Sequence, residues 1–334
     1  MRHLVAPLAA ALFCAATVSA QSPFQFPTAN HALYDAGQEL KFFAPTSPDK
    51  PWTSGSFGCV RSDGWQMHEG LDIRCLQRDR HGEPTDPVLA TADGVVVYVS
   101  TKAALSNYGK YIVLRHIVEG LEIYSLYAHL SEVQSGVAAG KTVKAGEVIA
   151  TMGRTSNTSE TITKDRAHCH FELNVFVNEN FSSWYKKYFT QRNDHGIWNG
   201  YNLNGLDPRD ILLGERGGQF SLLNFVRSQT ELCRVLVRAT NFPYVKRYAP
   251  LVLKNPVAEK EGVAGYEVAL NYNGVAFALL PRAASEIKGK GKFQLLSVNE
   301  AEYHAHPCRK LVVQHGSHWQ LTDKGQRELE LLVD

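Results

Sequence analysis

Beyond its first residues the chain has no run approaching the ~20 consecutive apolar residues that a bilayer-spanning helix needs. An excess of one charge is missing too. Lys and Arg number 35 against 33 Asp and Glu, a net charge of +2, so there is no basic stripe to pay for contact with nucleic acid. Internal repeats and low-complexity tracts are absent. Cysteine is scarce, six in 334 residues. What remains, 44% hydrophobic and 20% charged, is the composition of an ordinary globular protein able to bury a core.

The start of the chain reads as a secretory signal peptide over residues 1–20. Arg2 and His3 give a basic start, an apolar run covers Leu4 to Val18, and Val18-Ser19-Ala20 is a small-residue cleavage site before Gln21. Bulky Phe13 before Cys14 argues against a lipoprotein anchor. The mature protein is therefore expected to be exported, periplasmic or secreted. Five cysteines then remain, Cys59, Cys75, Cys169, Cys233 and Cys308. An odd number in an oxidising compartment suggests two disulfides and one free thiol. Cys59 with Cys75 and Cys233 with Cys308 are the expected pairs, since each stays within one unit of the chain.

Those units follow from the pattern. Residues 21–51 are rich in Pro, Ser and Thr and read as an irregular lead-in or prosegment. From Val88, short alternating runs such as GVVVYVS, KYIVLRHIV and EIYSLYAHL are separated by Gly, Asn and Asp, as in antiparallel hairpins. This predicts an all-β domain over 52–213, a sandwich or barrel. Residues 178–205 read as a long loop or short helix laid over it. A smaller, mainly β unit is expected over 217–334, where Asn273-Gly274 is a hairpin turn signal.

Three stretches carry candidate chemistry. In AHCHFELNV, strand alternation puts His168, His170, Glu172 and Asn174 on one accessible face, and Cys169, Phe171, Leu173 and Val175 on the core face. That makes Cys169 the natural odd thiol. In GWQMHEGLDIRC, His68 and Asp72 stand four apart. Gly70 and the missing second histidine favour an extended segment over an HExxH helix. In LYAHLSEV, alternation groups His129 with Tyr127, Ser125 and Ile123. Singly, each has a bland reading as a surface or satisfied core histidine.

Together these stretches resemble the lysostaphin-type zinc endopeptidases, the glycylglycine endopeptidase family. The resemblance rests on Ser56-Phe57-Gly58 with Arg61, on His68-Glu69-Gly70-Leu71-Asp72, on Leu126-Tyr127-Ala128-His129-Leu130, on Gly153-Arg154-Thr155-Ser156 and on His168-Cys169-His170-Phe171-Glu172-Leu173. It covers about residues 52–213. It implies one Zn²⁺ per chain held by His68, Asp72 and His170, with the fourth position left to water. It implies His129 and His168 as the catalytic pair beside that water, one taking its proton and one serving the oxyanion or the leaving amine. His116 is assigned to structure. The implied substrate is a peptide of bacterial peptidoglycan, cut in a cross-link or stem. The chain departs from the family pattern in three longer loops, around 75–86, 154–167 and 178–205, all expected to border the groove.

Other readings compete. A catalytically silent wall-binding or hydrolase-activating module of the same fold would have no use for all five His and Asp positions. A lipoyl- or biotinyl-carrier hairpin would need a modified lysine, and Lys141 and Lys144 lack the flanking pattern. His304 and His306, with His315 and His318, read as polar loop residues with no carboxylate near in the pattern, and His81 as a solvated turn. Asn30 or His31, in the lead-in, would cap the metal if that segment shields it.

Overall fold

The computed structural model describes residues 24–158, 162–214, 216 and 218–334, so the expected signal peptide lies outside the described residues. In the first half the strands are β1 (Gly58–Arg61), β2 (Gln66–His68), β3 (Leu71–Arg74), β4 (Pro87–Leu89), β5 (Gly94–Ser100) and β6 (Lys110–Val118). They continue as β7 (Leu121–Leu130), β8 (Glu132–Val133), β9 (Thr142–Val143), β10 (Val148–Thr151), β11 (His168–Phe176) and β12 (Leu203–Leu206). The main sheet runs β12-β11-β7-β6-β5-β9, with β3 also paired to β11, and every pair in it is antiparallel. A three-stranded sheet, β4-β10-β8, lies beside it. The fold is mainly β, as the alternating runs predict.

The core side of the main sheet is filled by the odd-numbered set of β11, Cys169, Phe171, Leu173 and Val175, against Leu71, Ile73, Ile123 and Tyr127. The lead-in closes this core. Phe42 and Phe43 are fully buried, Phe43 stacks on Trp52 and bridges to Ile73, and Phe24 meets His116 edge-on. Burying a Phe side chain contributes roughly 1.5–3 kcal/mol, so this segment is a structural layer of the domain. Asn30 spends its amide on the carbonyls of Lys41 and Arg74, and His31 packs against Phe26 and Tyr34. Neither caps the histidine cluster, because these contacts hold both side chains away from it, and the lead-in pairs its backbone with β3 through Phe43–Ile73 and Ala44 N to Asp72 O.

The second half builds β13 (Cys233–Val237), β14 (Gly265–Leu270), β15 (Ala276–Arg282) and β16 (Phe293–Val298) into an antiparallel sheet ordered β15-β14-β13-β16. The Asn273-Gly274 turn joins β14 to β15, and Gly274 takes φ +87°, the left-handed conformation glycine tolerates without strain. The hairpin of β17 (Val312–His315) and β18 (His318–Leu321) and the helix Asp323–Val333 follow. The two halves share one continuous buried cluster. Polar bonds cross between them: Asn178 Nδ2 to Leu331 O at 2.7 Å, Trp184 Nε1 to Arg327 O at 2.8 Å and Asn273 Nδ2 to Gly205 O at 2.8 Å.

The disulfide also crosses. Cys59 is bonded to Cys308, and Cys75, Cys169 and Cys233 are buried thiols. Both expected pairings are therefore corrected: among the described residues there is one bridge and three free thiols. The expectation assumed that bridges stay within a unit. Here Cys59, on β1, faces the second half, whereas Cys75 and Cys233 are absorbed into apolar packing.

His116 is held within the fold, with Nδ1 on Asp93 O at 2.8 Å and Nε2 on Ser125 Oγ at 2.7 Å. Burial pushes its imidazole down to about 4 from the ordinary 6.5. The unfolded chain then binds a proton that the folded chain refuses, so stability rises with pH across this window. Its contribution is whole above the unfolded value and is lost as pH falls from about 6.5 toward about 4, an effect of up to about 3 kcal/mol. Urea unfolding at pH 4 and pH 7 is expected to show a smaller pH difference for His116→Gln than for wild type. An unchanged difference would mean that the imidazole does not titrate with folding.

Candidate metal centre

The β2–β3 corner brings the first two polar groups together. Chain direction reverses at Glu69-Gly70, where a Cβ on Gly70 would lie 2.2 Å from the Phe171 carbonyl oxygen, so only glycine lets this corner cross β11. Asp72 on β3 is the direct register partner of His170 on β11, and both side chains therefore project from the same face. His68 ends β2 and leans over the pair. Asp72 Oδ1 is 3.1 Å from His68 Nε2 and 2.9 Å from His170 Nδ1, and the two nitrogens are 3.1 Å apart.

The other atom of each ring fixes what this triangle contains. His68 Nδ1 is 2.7 Å from the Ser56 carbonyl, which can only accept, so Nδ1 carries the hydrogen. His170 Nε2 is 2.8 Å from Glu172 Oε1 and likewise donates. Glu172 is itself fixed by Tyr108 Oη at 2.8 Å and Asn174 Nδ2 at 2.9 Å. His68 Nε2 and His170 Nδ1 then both point lone pairs at a carboxylate oxygen. Three acceptors converge with no hydrogen among them, inside a site where His68 and Asp72 are 1% exposed or less. Such a cluster is repulsive unless a cation sits between the atoms.

This donor set fits a divalent metal. Two imidazole nitrogens and a carboxylate oxygen are zinc ligands at ~2.0–2.2 Å, which for a tetrahedral ion puts ligands ~3.3 Å apart. The spacing found needs to open by only a few tenths of an ångström. Among the described residues, His68, Asp72 and His170 are the one group of three or more such side chains that converge in this way.

The electrostatics agree with the geometry. Burial works to raise the Asp72 carboxyl, but His68, His168 and Arg61 hold it well below the usual carboxylate range. Arg61 Nη2 binds the second oxygen, Oδ2, at 2.6 Å. Burial lowers His68. Burial also lowers His170, yet its hydrogen bonds to Asp72 and Glu172 outweigh this and push it up to about 9.

His168 and His129 stand beside the triangle. Nδ1 of His168 donates to Arg166 O at 2.6 Å, and its Nε2 is 3.4 Å from Asp72 Oδ1. Nδ1 of His129 donates to Thr155 O at 2.9 Å, and the two rings are 4.8 Å apart. Burial lowers both, and for His129 the neighbouring His168 and His170 lower it further.

Two expectations about this face are corrected. Simple alternation groups His129 with Tyr127 and Ser125, but those side chains face the core, and Ala128 is the register partner of His170. A bulge between β6 and β7, with three residues from Tyr127 to Leu130 spanned against two from Lys110, and φ +61° at His129 turn its ring onto the metal side. A non-glycine residue in this conformation costs about 1–2 kcal/mol, which the fold must offset elsewhere. The His168/His170 face is also not solvated. Every residue of β11 is buried, because Tyr108, Tyr111 and the loop carrying His195 and Trp198 lie over it.

The three long loops fall as follows. Thr155 and Arg166, which orient His129 and His168, belong to the loop after β10. Glu83 braces that loop through Arg154 at 2.8 Å and Lys164 at 3.4 Å. His195 and its neighbours form a wall beside Tyr108. Sequence reasoning gave Tyr108, His195 and the Ser56 carbonyl no role, since backbone acceptors and aromatic lids leave no spacing signal. Glu172 was legible on the right face, but its bond to His170 was not. His304 and His306 lie elsewhere, on and beside a helix where Glu300 and Glu302 stand 3.7 and 3.1 Å from them, so carboxylates are near after all. His306 stacks on Tyr272, and His81 is exposed and bonded to Arg80.

Comparison with known proteins adds to this geometry. Residues 66–182 match the model of peptidase family M23. The chain is 37% identical over 146 residues to an uncharacterized metalloprotease of Haemophilus influenzae, covering 43% of this chain and 25% of that protein. It is 32% identical over 111 residues to the DD-carboxypeptidase/endopeptidase Mpg of Neisseria meningitidis serogroup B, covering 33% and 21%. It is 36% identical over 106 residues to the murein hydrolase activator NlpD of Escherichia coli, covering 32% and 22%. The match thus spans a quarter or less of the length of these relatives.

His170 Nδ1 lies 2.9 Å from Asp72 Oδ1 and His168 Nε2 lies 3.4 Å from it. Elemental analysis of the purified protein is expected to find one zinc per chain, lost in His170→Ala and kept in His168→Ala. Loss of metal in both variants to the same degree would contradict the division drawn here.

Proposed function

The chain belongs to peptidase family M23, and from that premise we propose that it is an exported zinc endopeptidase that hydrolyses peptide bonds in the cross-links or stem peptides of bacterial peptidoglycan. The observation that carries the reading is the hydrogen-free convergence of His68 Nε2, Asp72 Oδ1 and His170 Nδ1. A zinc ion bound there would acidify a water and polarise the scissile carbonyl.

The chain's own residues do the rest. His129 and His168 each commit Nδ1–H to a backbone carbonyl, so Nε2 is the nitrogen that accepts a proton. Both are neutral near pH 7, the state a base requires. After taking a proton, either imidazolium can donate to the leaving amine or to the oxygen on which charge develops. Arg61 binds Asp72 through Oδ2, which leaves Oδ1 for the metal. Glu172 orients His170 and strengthens it as a ligand. Tyr108 and the His195 loop keep the site dry, which strengthens every charge interaction in it.

The disulfide supports export, since such bridges persist in oxidising compartments, and no helix among the described residues is long and apolar enough to cross a membrane. A second reading follows from the relative named a murein hydrolase activator: a chain that binds the wall and stimulates another hydrolase. The retained ligand set and oriented histidine pair favour catalysis.

Digestion of purified peptidoglycan by the zinc-loaded mature protein tests this. New peptide termini are expected, and a chelator should abolish their release. His129→Ala and His168→Ala should each slow it on the order of 10²–10⁴-fold, the scale of a lost general acid or base. Intact peptidoglycan after prolonged incubation with fully loaded protein, together with stimulation of a separate wall hydrolase, would replace catalysis by the activator reading.

A further inference from the structure

A cavity of about 440 Å³ adjoins the metal centre on the side of the second half of the chain. Tyr108 and Glu69 are among the residues that line it. The Tyr108 ring is 5.8 Å from that of His170, and Glu69 follows His68 directly. Arg309 and Lys324, with Cys308, form its wall from the second half of the chain. The Cys59–Cys308 bridge therefore ties this wall to β1, whose Gly58 is the register partner of His68.

The wall carries two positive groups whose polar atoms are only partly matched. Arg309 is 7% exposed; one nitrogen binds Glu328 Oε1 at 3.0 Å, and its buried Nε has no partner among the described residues. Lys324 is half-buried in the first turn of the helix Asp323–Val333, and no hydrogen bond or ion pair to its ammonium is found among the described residues. A cation there opposes the positive end of the helix dipole. Burial, reinforced by Arg309, pushes it down to about 8. Arg309 and Lys310 disfavour its charge, and Glu328 and Glu69 favour it. Burial, the helix end and the neighbouring arginine all disfavour a lysine at this position, and a bound anion would relieve each of them.

We propose that Arg309 and Lys324 form an anion subsite at the end of the cleft that binds a carboxylate of the substrate peptide and so selects which wall peptides are cut. The proposal rests on the endopeptidase reading and names the substrate feature that reading leaves open. Arg309 supplies a fixed donor and Lys324 a mobile point charge. The second half of the chain thereby contributes to substrate choice, with the disulfide holding its wall in place.

The test uses the zinc-loaded full mature chain and the peptide Ala-D-Glu-Lys-D-Ala, free or with both carboxylates amidated. Binding is measured by calorimetry and cleavage of cross-linked dimers of the same peptides by mass spectrometry. The free peptide is expected to bind roughly tenfold more tightly, the scale of a charge-assisted hydrogen bond. Lys324→Gln should bring the ratio near one, and Lys324→Arg should keep it. Zinc content checks that each variant is folded. Amidating each carboxylate alone tells a chain terminus from a side chain. Equal binding of free and amidated peptide to wild type would overturn the subsite, even where both are cleaved. A preference without cleavage would uphold the subsite and sink the endopeptidase reading.

Discussion

The carboxylate of Asp72 is the group on which the rest of the site depends. It is buried, and a buried carboxylate is costly unless its charge is answered. Arg61 answers one oxygen at 2.6 Å, and the nitrogens of His68, His168 and His170 gather within 3.4 Å of the other. Arg61 lies on β1, His68 on β2, Asp72 on β3, and His168 and His170 on β11. Four strands are thus drawn to one point. Each must be in register for the cluster to form, and a one-residue slip of β11 would present Cys169 and Phe171 to Asp72 instead.

Around this point the chain has built supports that raise precision at a cost in stability. His129 accepts a left-handed backbone so that its ring can turn to the metal side. Glu172 is buried to hold His170. The long loop over β11 excludes water from side chains that could otherwise be solvated. Strain and burial of this kind are retained where a site must be rigid. The lead-in and the second half offset them by closing the core from two sides, one through Phe42 and Phe43 and the other through the disulfide and its shared buried cluster.

How much of this could be read from the sequence follows from the range of the forces involved. Strand alternation is local, so the antiparallel runs, the Asn273-Gly274 turn and the polar/apolar split of AHCHFELNV were legible. Proximity of His68, Asp72, His129, His168 and His170 was legible only through a motif resemblance, because no spacing rule brings β3 beside β11. The face of His129 was misread for a specific reason: a bulge breaks the two-residue period, and nothing in LYAHLSEV marks it. The disulfide was misread because its partners lie 249 residues apart and cross between halves assumed independent. The charged wall of Arg309 and Lys324 was invisible, since it becomes a feature only when that bridge sets it beside the cleft.

The central claim is that Asp72 Oδ1, His68 Nε2 and His170 Nδ1 are the three protein ligands of one zinc. Anomalous diffraction collected on either side of the zinc absorption edge, on crystals of the zinc-loaded mature protein, tests it most directly. The account predicts one strong peak at ~2.0–2.2 Å from each of these atoms, with His129 and His168 nitrogens farther away. A peak bonded to His168 Nε2 in place of His170 Nδ1, or no peak at this cluster while zinc is bound elsewhere, would contradict it.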